Sequence, residues 1–185
     1  MASISFKTSC GGNINLSESV KEHLKAHPNI LDLIPEVALR ITLPVDGSRL
    51  TKQISFNRVV GQSSLINTKK IELSDIAWFA VRKNRMKASR IILGEWLADT
   101  DIVTIIANPF AENTYKLVTA WFGILAPKEP WDFDLVGNLS EYKEAIKFWC
   151  SHALIYSSVT MHDPFESSWE NILKITDHNN CSKKD

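Results

Sequence analysis

The 185-residue sequence predicts an α+β fold: an N-terminal helix or helices followed by a twisted antiparallel sheet of about five strands, with one helix inserted before the last strand. Three observations predict it. Short runs rich in branched and aromatic residues recur between residues 37 and 159 and are bounded by Gly, Pro, Asn and Asp. Two stretches, one opening at Glu18 and one at Leu139, carry apolar residues at helical spacing behind a capping side chain. The composition, 44% hydrophobic and 23% charged, is that of a globular chain with one substantial core rather than a disordered or membrane protein. The expected organisation is therefore one domain over residues 1–160, with residues 161–185 as a partly frayed C-terminal extension.

In chain order, Asn15 or Ser17 caps a first helix with Val20 and Leu24 on one face, ended by Pro28. The segment VALRITLPV (37–45) reads as a strand that turns at Asp46 and Gly47, and KQISFNRVVG (52–61) as its partner. DIAWFAVR and MKASRIIL read as a hairpin closed by Lys83, Asn84 and Arg85. DIVTIIA and TYKLVTAWFGIL read as a second pair around NPFAEN, their near-continuous apolar character suiting central strands. LSEYKEAIKFW (139–149) reads as a helix capped by Asn138 or Ser140, with Tyr142, Ala145, Ile146 and Trp149 on one face. HALIYSSV is the last strand, and FESSWENILKI is a segment that can dock as a helix.

Charge is balanced, 21 basic against 21 acidic residues, which excludes a chain basic over its whole surface. The stretch WFAVRKNRMKASRII is the exception, with Arg82, Lys83, Arg85, Lys87 and Arg90 and no acid. Alternation along a strand sends several of these side chains to one side, where they suit phosphates, while Trp78 and Phe79 suit unpaired bases. The competing role is that of a charged edge strand that resists sheet-to-sheet aggregation. Three widely spaced cysteines match no disulfide or metal framework and, with no secretory signal, place the protein in a cytoplasm. No apolar run approaches the roughly 18 residues of a membrane span.

His152 is the leading candidate for proton transfer, because it stands where a helix hands over to a strand, beside Ser151 and near Tyr156. Cys150 points the same way as His152 on a strand, so a thiol–histidine pair is a weaker alternative. Arg58, Gly61, Ser63 and Ser64 combine a guanidinium, a flexible backbone and hydroxyls suited to an anion. Thr119 and Trp121 share a strand face with Tyr115 by simple alternation. His23 and His27 lack the adjoining Glu and third ligand of a zinc site, and no cofactor or metal is expected. The phosphate loop GxxxxGK(S/T), the dinucleotide GxGxxG and the hydrolase GxSxG are all absent from the sequence.

Four segments in order, VVGQSSLINT (59–68), FAVRKNR (79–85), VTAWFG (118–123) and FWCSHALIY (148–156), resemble a group of small bacterial proteins. Those carry VVG(T/Q)S–L–T, a basic AxRKNR hairpin, TAW–G and FW–KHAL. The resemblance spans roughly residues 37 to 157. More distantly the layout is similar to the barnase–EndoU–colicin–RelE superfamily of RNase toxins, which cut RNA without metal. The resemblance implies attack of a ribose 2′-hydroxyl on the adjoining phosphate. It assigns His152 as acid or base, Arg58, Arg82 and Arg85 as charge stabilisers, and Thr119 or Ser63 as a hydrogen-bond donor with Tyr156 in reserve. Lys83, Lys87, Arg90, Ser63 and Trp121 are the expected RNA contacts, tRNA being one candidate target. Ser151 stands where this group has lysine, so one cation of the pattern is missing. The alternative is a non-catalytic module that binds RNA or a protein partner, such as a toxin-neutralising protein; for the enzyme itself, an inhibitory protein is the corresponding partner.

Overall fold

The structure, a computed structural model, describes residues 4–25, 29–84, 87–94 and 97–174. Where one domain was expected, the chain divides into two compact units. The first comprises Met1–Ser63 and Ala98–Leu125, the second Ser64–Leu97 and Ala126–Asp185.

In the first unit, β1 (Ile4–Lys7) and β2 (Asn13–Leu16) form a hairpin ahead of any helix. Ile14 and Leu16 alternate inward, and Gly11 supplies the positive φ of +84° that the turn needs. Helix α1 (Glu18–Leu24) follows, with Ser17 as N-cap: its hydroxyl accepts from the Val20 N–H at 3.4 Å. Helix α2 (Ile30–Ala38) covers the core with Ile30, Ile34, Val37 and Ala38, the i, i+4, i+7, i+8 spacing of one helical face. Each such aliphatic side chain contributes about 1.5–3 kcal/mol by leaving water.

Strand β3 (Leu50–Ser55) and the long hairpin of β9 (Ile102–Ala111) and β10 (Thr114–Phe122) complete a five-stranded sheet in the order β1-β2-β10-β9-β3. The β2–β10 pair is parallel; the others are antiparallel. A two-stranded ribbon of β4 (Gly61–Ser63) and β8 (Ala98–Thr100) belongs to the same unit.

The second unit is built on β5 (Leu65–Asn67), β6 (Ile76–Val81), β7 (Ala88–Ile92), β11 (His152–Ile155) and β12 (Phe165–Ser168). Their order is β12-β6-β7-β11-β5, and β7–β11 is the parallel pair. A 3-10 turn at Phe133–Leu135 leads to α3 (Leu139–Ser151), whose N-cap Asn138 accepts from the Glu141 N–H at 3.2 Å. The core is aromatic: Phe79 meets Trp169 edge-to-face at 5.4 Å, and Trp131 lies 5.7 Å from Trp169. Trp169 is fully buried, so the segment expected as an extension supplies β12 and a central core side chain, with residues 169–174 helical.

The expectation of N-terminal helices followed by one antiparallel sheet is thus corrected. Among the described residues there are three sheets, of five, two and five strands, and two strands precede the first helix. Residues 37–45 do not form the expected strand. Val37 and Ala38 continue the inward face of α2, and Pro44, which cannot donate to a ladder, lies in the irregular chain that follows. The expected end of the first helix at Pro28 lies outside the described residues, as do His27 and Arg85. No described helix is long and apolar enough to cross a membrane.

Candidate functional site

The site is built where α3 hands the chain to β11. Its last helical residue is Ser151, and the C-cap His152 has left the helix for extended backbone at φ −129°, ψ 151°. Phe148, one turn earlier, stacks on the imidazole with ring centroids 3.9 Å apart and planes 2° from parallel. His152 Nδ1 lies 2.9 Å from the Phe148 carbonyl oxygen. A carbonyl only accepts, so Nδ1 carries a proton, and in the neutral imidazole Nε2 is the atom with the lone pair. The Ser151 hydroxyl, 3.1 Å from Nδ1, donates to the same carbonyl at 3.0 Å. On the other side, Asn67 Nδ2 stands 3.4 Å from Nε2. The β5–β11 register sets that contact, since His152 and Asn67 are cross-strand partners. The imidazole is partly exposed.

The chain beyond Asn67 wraps the end of α3. The Thr68 N–H donates to the Ser151 carbonyl at 2.7 Å and the Ile71 N–H to the Cys150 carbonyl at 3.1 Å. Inside this wrap lies Arg90, which is only 6% exposed. Its Nη1 donates to the carbonyls of Cys150 at 2.7 Å, Trp149 at 3.3 Å and His152 at 3.4 Å, and its Nη2 reaches the Lys69 carbonyl at 3.4 Å. A cation at a helix C-terminus satisfies orphan carbonyls and complements the helix dipole. Burial lowers the Arg90 pKa below its ordinary value, but a guanidinium stays charged at any physiological pH. Burial raises the Cys150 thiol pKa, opposed first by Arg90 and then by Lys70. A buried thiol kept protonated is a poor nucleophile, which removes the thiol–histidine alternative.

The described cations of the β6–β7 hairpin have internal partners. Arg82 donates through Nη2 to Glu129 and through Nε to Ser89 Oγ at 2.7 Å, and Ser89 in turn donates to the same carboxylate. Glu129 is 2% exposed, so Arg82 completes a buried ion pair. Lys83 Nζ donates to the Ser158 carbonyl at 2.8 Å, and Lys87 Nζ to the Trp131 carbonyl at 2.9 Å with Asp132 4.0 Å away. Arg90 supports the site's backbone, as described above. These groups hold the second unit together, a use of the charge that the run of basic residues alone did not reveal.

Arg58, Gly61, Ser63, Thr119 and Trp121 belong to the first unit, Ser64 and Tyr156 to the second. Arg58 makes a two-pronged contact with Glu36, at 2.6 and 3.1 Å, and Arg40 donates to the same carboxylate at 2.9 Å. Both guanidiniums lie over the Phe56 ring, Arg40 at 4.2 Å and Arg58 at 5.4 Å. The hydrogen bond from Arg58, outweighing partial desolvation, holds the Glu36 carboxyl below its usual range. Ser63 is buried; a Cβ on the facing Gly123 would lie 2.3 Å from its hydroxyl. Gly61 is fixed similarly by the Phe122 ring, 2.5 Å from any added Cβ. Thr119 Oγ1 lies 3.5 Å from His23 Nε2, and Trp121 Nε1 donates to the Ile124 carbonyl at 3.3 Å. Thr119 and Trp121 do not share a face with Tyr115. A register shift between Leu117 and Thr119 turns them to the side opposite Ala120 and Phe122, while Tyr115 and Leu117 stay with the core.

The predicted set is therefore divided between the units: His152, Arg82, Lys83, Lys87 and Arg90 in the second, Arg58, Ser63, Thr119 and Trp121 in the first. Only His152 and Arg90 are joined by a described contact. Sequence reasoning missed Phe148, Asn67 and Glu129. Helical i, i+4 spacing to His152 was a readable signal for Phe148; Asn67 and Glu129 depend on pairings far apart in the chain. Among the described residues no group of three or more His, Cys, Asp or Glu is arranged to hold a metal ion. Comparison with protein families, curated proteins and solved structures finds no match to this chain.

Proposed function

We propose that the protein is a cytoplasmic, toxin-like endoribonuclease of the resembled kind, acting without a metal ion and using His152 to move the proton of a ribose 2′-hydroxyl. The observation that carries this reading is the state of the imidazole. Its Nδ1 proton is committed to the Phe148 carbonyl, so the neutral ring offers its lone pair at Nε2, partly exposed and with a fixed orientation. That is what a general base requires: one accessible basic atom held by a rigid helix–strand junction. His152 takes the hydroxyl proton, the 2′-oxygen attacks phosphorus as the bond to the 5′-oxygen breaks, the 5′-oxygen takes a proton from water, and a 2′,3′-cyclic phosphate remains. Asn67, beside Nε2, orients the ring before substrate enters and can turn its amide to the phosphate.

The second reading is a non-catalytic module that binds RNA or a protein partner, such as a toxin-neutralising protein. The internal pairing of Arg82, Lys83, Lys87 and Arg90 favours it, because those cations are not free to stabilise a phosphorane. Labelled RNA incubated with the protein in excess EDTA separates the two. Parent protein is expected to yield discrete fragments ending in cyclic phosphate. His152→Ala should cleave about 10²–10⁴-fold more slowly, the usual worth of one general base. Intact RNA with the parent would leave the binding module as the function.

A further inference from the structure

With the described hairpin cations Arg82, Lys83, Lys87 and Arg90 bonded internally, two consecutive lysines stand in the chain wrap that Asn67 joins to His152. Residues 67–71 run as a strap around the end of α3, fixed at both sides by the Asn67 side chain on His152 and by the backbone bonds of Thr68 and Ile71. Between those anchors stand Lys69 and Lys70, both exposed, and neither has a carboxylate partner among the described residues. The Lys69 backbone shares the Arg90 guanidinium with the His152 backbone, which ties the strap to the imidazole through one rigid group. At Cys150, two residues from His152, the charges of Lys70 and Glu72 act in opposite directions. The next acids, Glu72 and Asp75, sit in a turn of their own, where Asp75 accepts the Glu72 N–H at 2.8 Å.

We propose that Lys69 and Lys70 are the phosphate-binding cations of this site and that its ligand is the backbone of single-stranded RNA laid along the 67–71 strap, with Asn67 and His152 at its end. The proposal rests on the RNA reading above but not on cleavage. Two ammonium groups on a backbone pinned at both ends lose little freedom on binding, and exposure leaves them to exchange counterions for phosphates. The same residues supply positive charge on the strap whose first residue, Asn67, meets the His152 imidazole.

The test uses a fluorescent 2′-O-methyl oligoribonucleotide, which the proposed chemistry cannot cut, titrated with full-length protein from about 50 to 200 mM salt. Lys69→Glu/Lys70→Glu is expected to bind at least about tenfold more weakly, and Lys69→Gln/Lys70→Gln to lower the slope of log affinity against log salt by about 1.4, two single-strand contacts. Lys83→Glu, on the hairpin, is expected to bind like the parent. Thermal melts verify folding of each variant, and the neutral pair keeps the test decisive if charge reversal unfolds the protein. Unchanged binding by the strap variants, loss of binding with Lys83→Glu instead, or no binding by the parent would overturn the proposal. Oligonucleotide bound through the strap while natural RNA stays intact would uphold it and refute the RNase reading. Cleavage by the parent with wild-type behaviour of both strap variants would do the reverse.

Discussion

The two five-stranded sheets have the same succession of strand directions yet are held together by different chemistry. From β1 to β3 the pairings run antiparallel, parallel, antiparallel, antiparallel, and from β5 to β12 they run the same way. The first sheet rests on an aliphatic core, with Ile14, Ile30, Ile34, Ile105 and Val103 fully buried. The second rests on Phe79, Trp131, Trp149 and Trp169, with the Arg82–Glu129–Ser89 cluster and Arg90 among its supports. The indole N–H groups of Trp131 and Trp169 are buried there without an acceptor among the described residues. Aliphatic packing is non-directional and tolerant, whereas a buried ion pair is unforgiving of single changes. The histidine site belongs to the unit with the stricter interior, where polar bonds fix the geometry to which a proton-transfer group is most sensitive.

Breaking the buried pair should give the largest effect. Arg82→Met leaves the Glu129 carboxylate buried with only Ser89 as donor, and should destabilise by about 3–5 kcal/mol in denaturant unfolding. Adding Glu129→Leu should recover most of that loss, since a buried pair replaced by apolar groups is close to neutral. A double variant no more stable than the single one would show that the pair is not the source of the cost. Tryptophan fluorescence is a suitable probe, because Trp131, Trp149 and Trp169 all lie in that core.

A smaller effect is expected from the aliphatic unit. Ile105→Val removes one methylene from a fully buried position and should cost about 1 kcal/mol. Hydrogen exchange is the sharper measurement: protection should fall in β9 and β10 and remain unchanged in β6 and β7. Equal loss in both hairpins would mean that the two units unfold as one cooperative block, and the contrast between their cores would then have no separate thermodynamic expression.

The same contrast explains what was legible in the sequence. Local chemistry was: Ser17 and Asn138 cap their helices, and β6–β7 and β9–β10 pair as expected, although Asn108 and Pro109 of the expected second turn lie within β9, opposite Lys116 and Tyr115. The parallel pairs β2–β10 and β7–β11 were not, because they join segments about a hundred and about sixty residues apart that share no local pattern. The N-terminal hairpin was misread because Asn15, Leu16, Ser17 and Glu18 carry a real capping signal, which masked the alternation of Ile4, Phe6, Ile14 and Leu16 just before it. Reading His152 as a junction residue required only the end of a helical period. The basic hairpin shows the opposite limit. The acceptors of its described cations, Glu129, the Lys69, Trp131 and Ser158 carbonyls and the end of α3, lie up to 75 residues away, so a positive run could be seen while its partners could not.

The smallest expected effect concerns the exposed ion pairs of the first unit. Glu36, bridged by Arg58 and Arg40, has a folded-state pKa below its unfolded value, so it binds its proton more readily once the chain unfolds. Its contribution to stability is therefore complete above the ordinary carboxylate range and is lost as pH falls through the depressed folded value. Both partners are exposed and solvent screens the pair, which keeps the contribution small. Arg58→Met should flatten the acid side of the melting-temperature profile between about pH 5 and pH 3 while leaving the neutral plateau nearly unchanged. The Arg82→Met profile should instead lie well below the parent on the neutral plateau, because the buried Glu129 has lost its cation. If Arg58→Met lowered the neutral plateau as far as Arg82→Met does, the guanidinium over the Phe56 ring would be a core element of the first unit. The distinction between an aliphatic interior and a polar one would then have to be redrawn at Phe56.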